Sequence, residues 1–191
     1  MTNLFFEFLQ VAIAHQSAFY CLSRIPSAEE WAGLYKMAKE HALIGMCFAA
    51  IQKLPNEQLS QLPQQLKMHW LGMVVQIQQR NELMNQRCME LQRQLKQDGF
   101  RTYIMKGQGN AILYDEKLCS LRQSGDIDIY LEGGYKKVID YVNGTFPTKD
   151  VNELEIHYRC FNDVEVEIHY KPFVMDSPKD KILQSFFKEC E

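Results

Sequence analysis

Asp126 and Asp128 stand two residues apart in the otherwise apolar run Asp126-Ile-Asp128-Ile-Tyr-Leu131. Side chains of an extended chain alternate, so both carboxylates share one face while Ile127, Ile129 and Leu131 point to the other. Two like charges anchored on a buried strand repel each other and are costly unless a cation lies between them. A hard divalent ion bound to oxygen, Mg²⁺ first, meets that need. An edge strand with an acidic solvent face would also produce a bare Asp-x-Asp, so the flanking segments matter.

Upstream, Phe100 to Met105 is aromatic and β-branched enough for a short strand, and Lys106-Gly107-Gln108-Gly109 then leads into the apolar Ala111 to Tyr114. This reads as strand, tight turn and helix. A helix starting near Gly107 would aim free N–H groups beyond the strand end, with the Lys106 charge beside them, and such an end favours phosphate. Turn glycines next to a solvated lysine would account for the segment too. It is neither a P-loop nor a dinucleotide fingerprint, since the Gly-Lys-Ser/Thr ending and the three-glycine spacing are missing.

Downstream, His157 to Phe161 and Val164 to Tyr170 read as the arms of a hairpin, with Asn162-Asp163 as a two-residue turn. Val164, Val166 and Ile168 form the apolar face of the second arm, and Glu165, Glu167 and His169 form the other. A carboxylate from this strand would complete a cluster with Asp126 and Asp128, and spacing leaves Glu165 and Glu167 both open.

The order Lys-Gly, Arg-x-Ser-x-Asp-Ile-Asp, then an acid before Ile-His-Tyr resembles the nucleotidyltransferase superfamily with the DNA polymerase β type of catalytic core. Within it the chain is most similar to the uncharacterised bacterial nucleotidyltransferase family that carries Lys-Gly, Leu-Tyr, Leu-Arg, Gly-Asp-Ile-Asp and Asp-Leu-His-Trp motifs. Those motifs stand here as Met105-Lys106-Gly107, Leu113-Tyr114, Leu121-Arg122, Gly125 to Asp128 and Glu167 to Tyr170, a likeness over roughly residues 30 to 171. Abortive-infection type nucleotidyltransferase toxins are similar more distantly.

The resemblance implies a metal-dependent transfer of a nucleoside monophosphate from an NTP to an unidentified acceptor. It implies Asp126, Asp128 and Glu167 as the catalytic acids holding Mg²⁺ or Mn²⁺, and prefers Glu167 to Glu165 because Glu167 directly precedes Ile-His-Tyr. Lys106, Gly107, Gln108, Arg122 and Ser124 would grip the triphosphate, and His169 would orient Glu167 or make a plain structural hydrogen bond. Two positions depart from the pattern: Gly107-Gln108 replaces the usual Gly-Ser or Gly-Gly, and glutamate replaces aspartate as the third acid. A catalytically silent nucleotide-binding or interaction module, and a toxin-like enzyme modifying tRNA or protein, are the alternatives.

An α+β chain in two parts would position these residues: a helical region over 1–98, packed on a small mixed β-sheet nucleotidyltransferase core with flanking helices over 99–191. The helices expected are Asn3 to Leu22, Ser27 to His41, Ala42 to Leu54 and Leu62 to Asp98, with Ser27 as N-cap and Glu30 completing a capping box. Pro26, Pro55 and Pro63 punctuate them. In the last helix Leu83, Cys88, Leu91 and Leu95 form an apolar stripe beside a glutamine-rich solvated face, and Gly99 suits its C-cap. Further helices are expected over Tyr135 to Tyr141 and Ser177 to Glu191. Relatives of this type usually carry another helical region after the hairpin, so the chain is either a short member or truncated at its C-terminus.

A composition of 46% hydrophobic and 24% charged residues is that of a globular chain, not a disordered one. No stretch reaches membrane-spanning length, and Leu4 to Ala14, interrupted by Glu7 and lacking a basic lead-in, is not expected to be a signal peptide. Six scattered cysteines without metal-ligand spacing suit reduced thiols in a bacterial cytoplasm. A net charge of −3 argues against extensive nucleic-acid contact. The partners expected are therefore NTP and an acceptor that is a small molecule, a protein or an RNA.

Overall fold

A computed structural model describes residues 2–16 and 20–190, with the side chains at 188 and 190 left outside the description. Among the described residues, eight helices and one four-stranded mixed sheet give an α+β fold. The chain divides by its contacts into a first unit, Met1–Glu82 with Leu113–Gln123, and a second, Leu83–Ile112 with Ser124–Glu191. No described helix is long and apolar enough to cross a membrane.

The first unit contains α1 (Thr2–Ile13), α2 (Ala28–Glu40), α3 (Ile44–Lys53), the opening part of α4 (Gln64–Gln97) and α6 (Glu116–Cys119). The capping box of α2 forms as expected: Glu30 N–H donates to Ser27 Oγ and Ser27 N–H donates to Glu30 Oε2. The Arg24 guanidinium on Glu30, with the Ser27 amide, holds that carboxyl down at about 2. Helix α1 ends at Ile13, short of the expected Leu22, and residues 17–19 of that stretch lie outside the described residues. Lys53 Nζ donates to Ala12 O at 2.5 Å and Ala14 O at 2.9 Å, so a cation satisfies carbonyls that would otherwise call for another turn. Phe8, Trp31, Leu34 and Trp70 are fully buried, and Phe8 meets both indoles edge-on.

The second unit holds β1 (Thr102–Met105), α5 (Lys106–Ala111), β2 (Asp126–Leu131), α7 (Gly134–Thr145), β3 (Glu155–His157), β4 (Glu165–His169), α8 (Asp180–Cys190) and the later part of α4. Strand order is β1-β2-β4-β3, with β2 and β4 parallel and both outer pairings antiparallel. Alternation sorts the faces. Ile127, Ile129, Leu131, Val166, Ile168 and Ile156 are buried together with Met84, Cys88, Leu91 and Leu95 of α4 and Val138 and Val142 of α7. Residues 84, 88, 91 and 95 recur at helical spacing, which is why one face of α4 is buried while Gln86, Gln94 and Gln97 stay exposed.

The hairpin differs from its expected register by one residue. A two-residue turn at Asn162-Asp163 would set His157 opposite Ile168, on the apolar face. Instead Ile156 pairs with Ile168 and His157 with Glu167, and residues 158–164 make a longer connection. Burying Ile156 rather than His157 selects this register, because a slip of one residue exchanges the two faces of a strand. The exchange brings Glu155 and His157 to the polar face of the sheet.

Candidate active site

That polar face carries Asp126 and Asp128 from β2, Glu165, Glu167 and His169 from β4, and Glu155 and His157 from β3. In the parallel pairing Asp126 lies opposite Glu165 and Asp128 opposite Glu167. Ligand atoms of Asp128, Glu155, Glu167 and His169 all lie within 4.8 Å of one another. Oxygen atoms bound to one divalent ion at roughly 2.0–2.6 Å are separated by about this much, so three carboxylates on three adjacent strands fit a hard cation.

Asp128 is the centre of the group. It is 4% exposed and its Oδ1 receives two bonds, from Lys106 Nζ at 2.6 Å and from His169 Nε2 at 2.9 Å. Burial pushes the Asp128 carboxyl up, but the bonds from His169 and Lys106 and the Lys106 charge outweigh it and hold the carboxyl below the ordinary aspartate value. Burial draws the Lys106 ammonium down, yet its bond to Asp128 and the charges of Asp128, Glu155 and Glu167 raise it overall. Glu167 moves the other way. Its burial, then the neighbouring charges of Glu155, Asp126 and Asp128, push its carboxyl up against a weaker pull from His157.

His169 is fully buried, and its Nε2 lies 3.1 Å from Glu155 Oε2 as well as against Asp128. Two acceptor oxygens facing one ring nitrogen require that Nε2 carry the hydrogen, and the buried Nδ1 has no hydrogen-bond partner among the described residues. His169 therefore donates to Asp128 and lies between it and Glu155, whereas Glu167 is 3.7 Å from His157.

A family model described as an uncharacterised nucleotidyltransferase matches residues 27–190. The chain belongs to that family. Searches of curated proteins and of solved structures returned no match.

In this nucleotidyltransferase the motif residues fall as follows. Lys106 opens α5 with a positive φ of 40°. Gly107 is buried in the same short helix, which spans six residues. Gln108 is held at both ends of its amide: its Oε1 accepts from Ser124 Oγ at 2.7 Å and its Nε2 donates to Asn85 Oδ1. Ser124 thus joins the loop before β2 to α5. Arg122 belongs to the first unit, where its backbone oxygen accepts from Asn81 Nδ2 at 2.6 Å. Asp126 is half-buried at the start of β2 and is not one of the four grouped residues. Glu165, beside it in register, is exposed.

Sequence reasoning missed Glu155. Its signal was the alternation Glu155-Ile156-His157, visible only once Ile156 is taken as the core residue of β3.

Proposed function

We propose that this nucleotidyltransferase transfers a nucleoside monophosphate from an NTP to an acceptor hydroxyl, with a divalent ion held by Asp128 and Glu167 of the grouped acids and, on its motif alone, by Asp126. The observation that carries the reading is the side-by-side placement of Asp128 and Glu167 on parallel strands, within 4.8 Å of each other and of Glu155. Bound Mg²⁺ or Mn²⁺ would supply Lewis-acid activation of the phosphoryl centre and of the attacking oxygen. Glu167, whose carboxyl is pushed up by its acidic neighbours, would accept the acceptor's proton. The acceptor oxygen bonds to the α-phosphorus, the bond to the bridging oxygen breaks, and pyrophosphate leaves with the electron pair. Lys106 and the α5 segment at Gly107 and Gln108, with Ser124, would face the β- and γ-phosphates, where a fixed cation opposes the charge that develops there. Arg122 enters this assignment on its motif alone.

Incubation with each NTP labelled at the α-phosphate, Mg²⁺ or Mn²⁺ and cell lysate, followed by separation of RNA, protein and small molecules, tests the reading. Label in one fraction names the acceptor class. Transfer of label in a parallel incubation with γ-labelled NTP, without transfer of α-label, would show a kinase, and no transfer with any NTP would return the chain to a silent nucleotide-binding module.

A further inference from the structure

Lys106 turns its ammonium onto the acid cluster. Its ammonium lies 2.6 Å from Asp128 Oδ1, although the side chain as a whole is 57% exposed and the Asp128 side chain 5%. The backbone at Lys106 sits at φ 40°, a conformation that L-residues seldom adopt. On its other side the same oxygen is fixed by the buried ring of His169, so of the two partners only the lysine can leave without disturbing the core. Glu155 and Glu167 add their charge to the field that holds the ammonium.

We infer that Lys106 is a tethered counter-ion that competes with the divalent ion for Asp128 and gives way when a triphosphate offers it an alternative partner. The inference rests on the proposed metal-dependent transfer. An ammonium on Asp128 and a dication on Asp128 repel each other, so each weakens the other's binding. Triphosphate oxygens, which accept from an ammonium at comparable strength, draw Lys106 off the carboxylate. Ion and nucleotide then bind with positive coupling, and the bare enzyme holds its ion weakly. By reciprocity the ion raises nucleotide affinity by the same factor.

The test is Mn²⁺ binding, followed by calorimetry and by the paramagnetic signal of free Mn²⁺, for wild type, Lys106→Met and Lys106→Arg, with and without a non-hydrolysable NTP analogue. Methionine keeps an unbranched side chain at the same strained backbone position and removes the charge, and arginine keeps the charge. Without nucleotide, Lys106→Met binds Mn²⁺ on the order of tenfold more tightly than wild type, Lys106→Arg does not, and the analogue tightens Mn²⁺ binding less in Lys106→Met than in wild type. Equal or weaker Mn²⁺ binding by Lys106→Met, with normal binding by wild type, overturns the counter-ion role alone. Failure of every protein to bind Mn²⁺, with or without the analogue, overturns the metal-dependent reading and this inference with it.

Discussion

Asp128→Asn is the sharpest probe of the site, because it changes one charge and almost no volume at the residue where the cluster converges. The asparagine oxygen can still accept from His169 Nε2, so the buried hydrogen bond at 2.9 Å has a replacement. The ion pair to Lys106 is lost, but with that side chain 57% exposed it is worth no more than about 1 kcal/mol. Relief of crowding with Glu155 and Glu167 acts in the opposite direction, so the ion-free variant melts within a few degrees of wild type. Ligand binding responds differently. Residues that merely orient a metal ligand carry about 10- to 100-fold in affinity, so loss of a direct carboxylate costs about 100-fold or more. At a concentration about 100 times the wild-type Kd, binding stabilises wild type by about 2.7 kcal/mol and the variant by about 0.4 kcal/mol. For a chain of this size that is a ligand-induced Tm rise of roughly 5–11 °C against one of about 1–2 °C. Melts in Mg²⁺ with a non-hydrolysable NTP analogue measure both. A variant that keeps the full rise shows that Asp128 does not hold the ion.

Glu167→Gln should lower nucleotidyl transfer by about 10²- to 10⁴-fold while NTP binding survives, whereas Glu165→Gln, at an exposed position, leaves turnover nearly unchanged; the reverse ranking in a steady-state assay would move the third acid to Glu165. Gly109→Ala places a Cβ against the backbone carbonyl of Ile104 and must push α5 off β1. It should cost about 1–3 kcal/mol in a denaturant or thermal melt, while Gly125→Ala, with no atom of the described residues within 4 Å of its Cβ, serves as the near-neutral control.

The elements that local chemistry dictates were legible. Ser27 and Glu30 announced the start of α2, the apolar positions of α4 announced its buried face, and Gly99, at φ 86°, announced its end. Asp126-Ile-Asp128-Ile announced β2 because its period of two admits no helix. What escaped depended on partners distant in sequence. Helix α1 stops where Lys53 caps it, 39 residues from Ala14. The hairpin turn looked like Asn162-Asp163, but packing of Ile156 against the core outranked turn chemistry and moved the register. For the same reason His169 could not be assigned from its position two residues after Glu167: it donates to Asp128 on one flanking strand and lies against Glu155 on the other.

The charge on this sheet face bears on what the fold is for. Asp128, Glu155 and Glu167 gather on three strands with Asp126 near enough to raise Glu167, and Lys106 supplies one opposing cation. Burial and the charges of Glu155, Asp126 and Asp128 disfavour ionisation of Glu167, so its charged form opposes folding, whereas His169 and Lys106 keep Asp128 ionised. An apolar or mixed-polarity face would suit a purely structural sheet better. A cluster of this kind, at which pKa values are driven in opposite directions at Asp128 and Glu167, is the usual mark of a site where charge is to be handled. Under the proposed transfer the two directions would also divide the work. The acid held low stays ionised and available to a cation at any physiological pH, and the acid held high is the better proton acceptor of the pair.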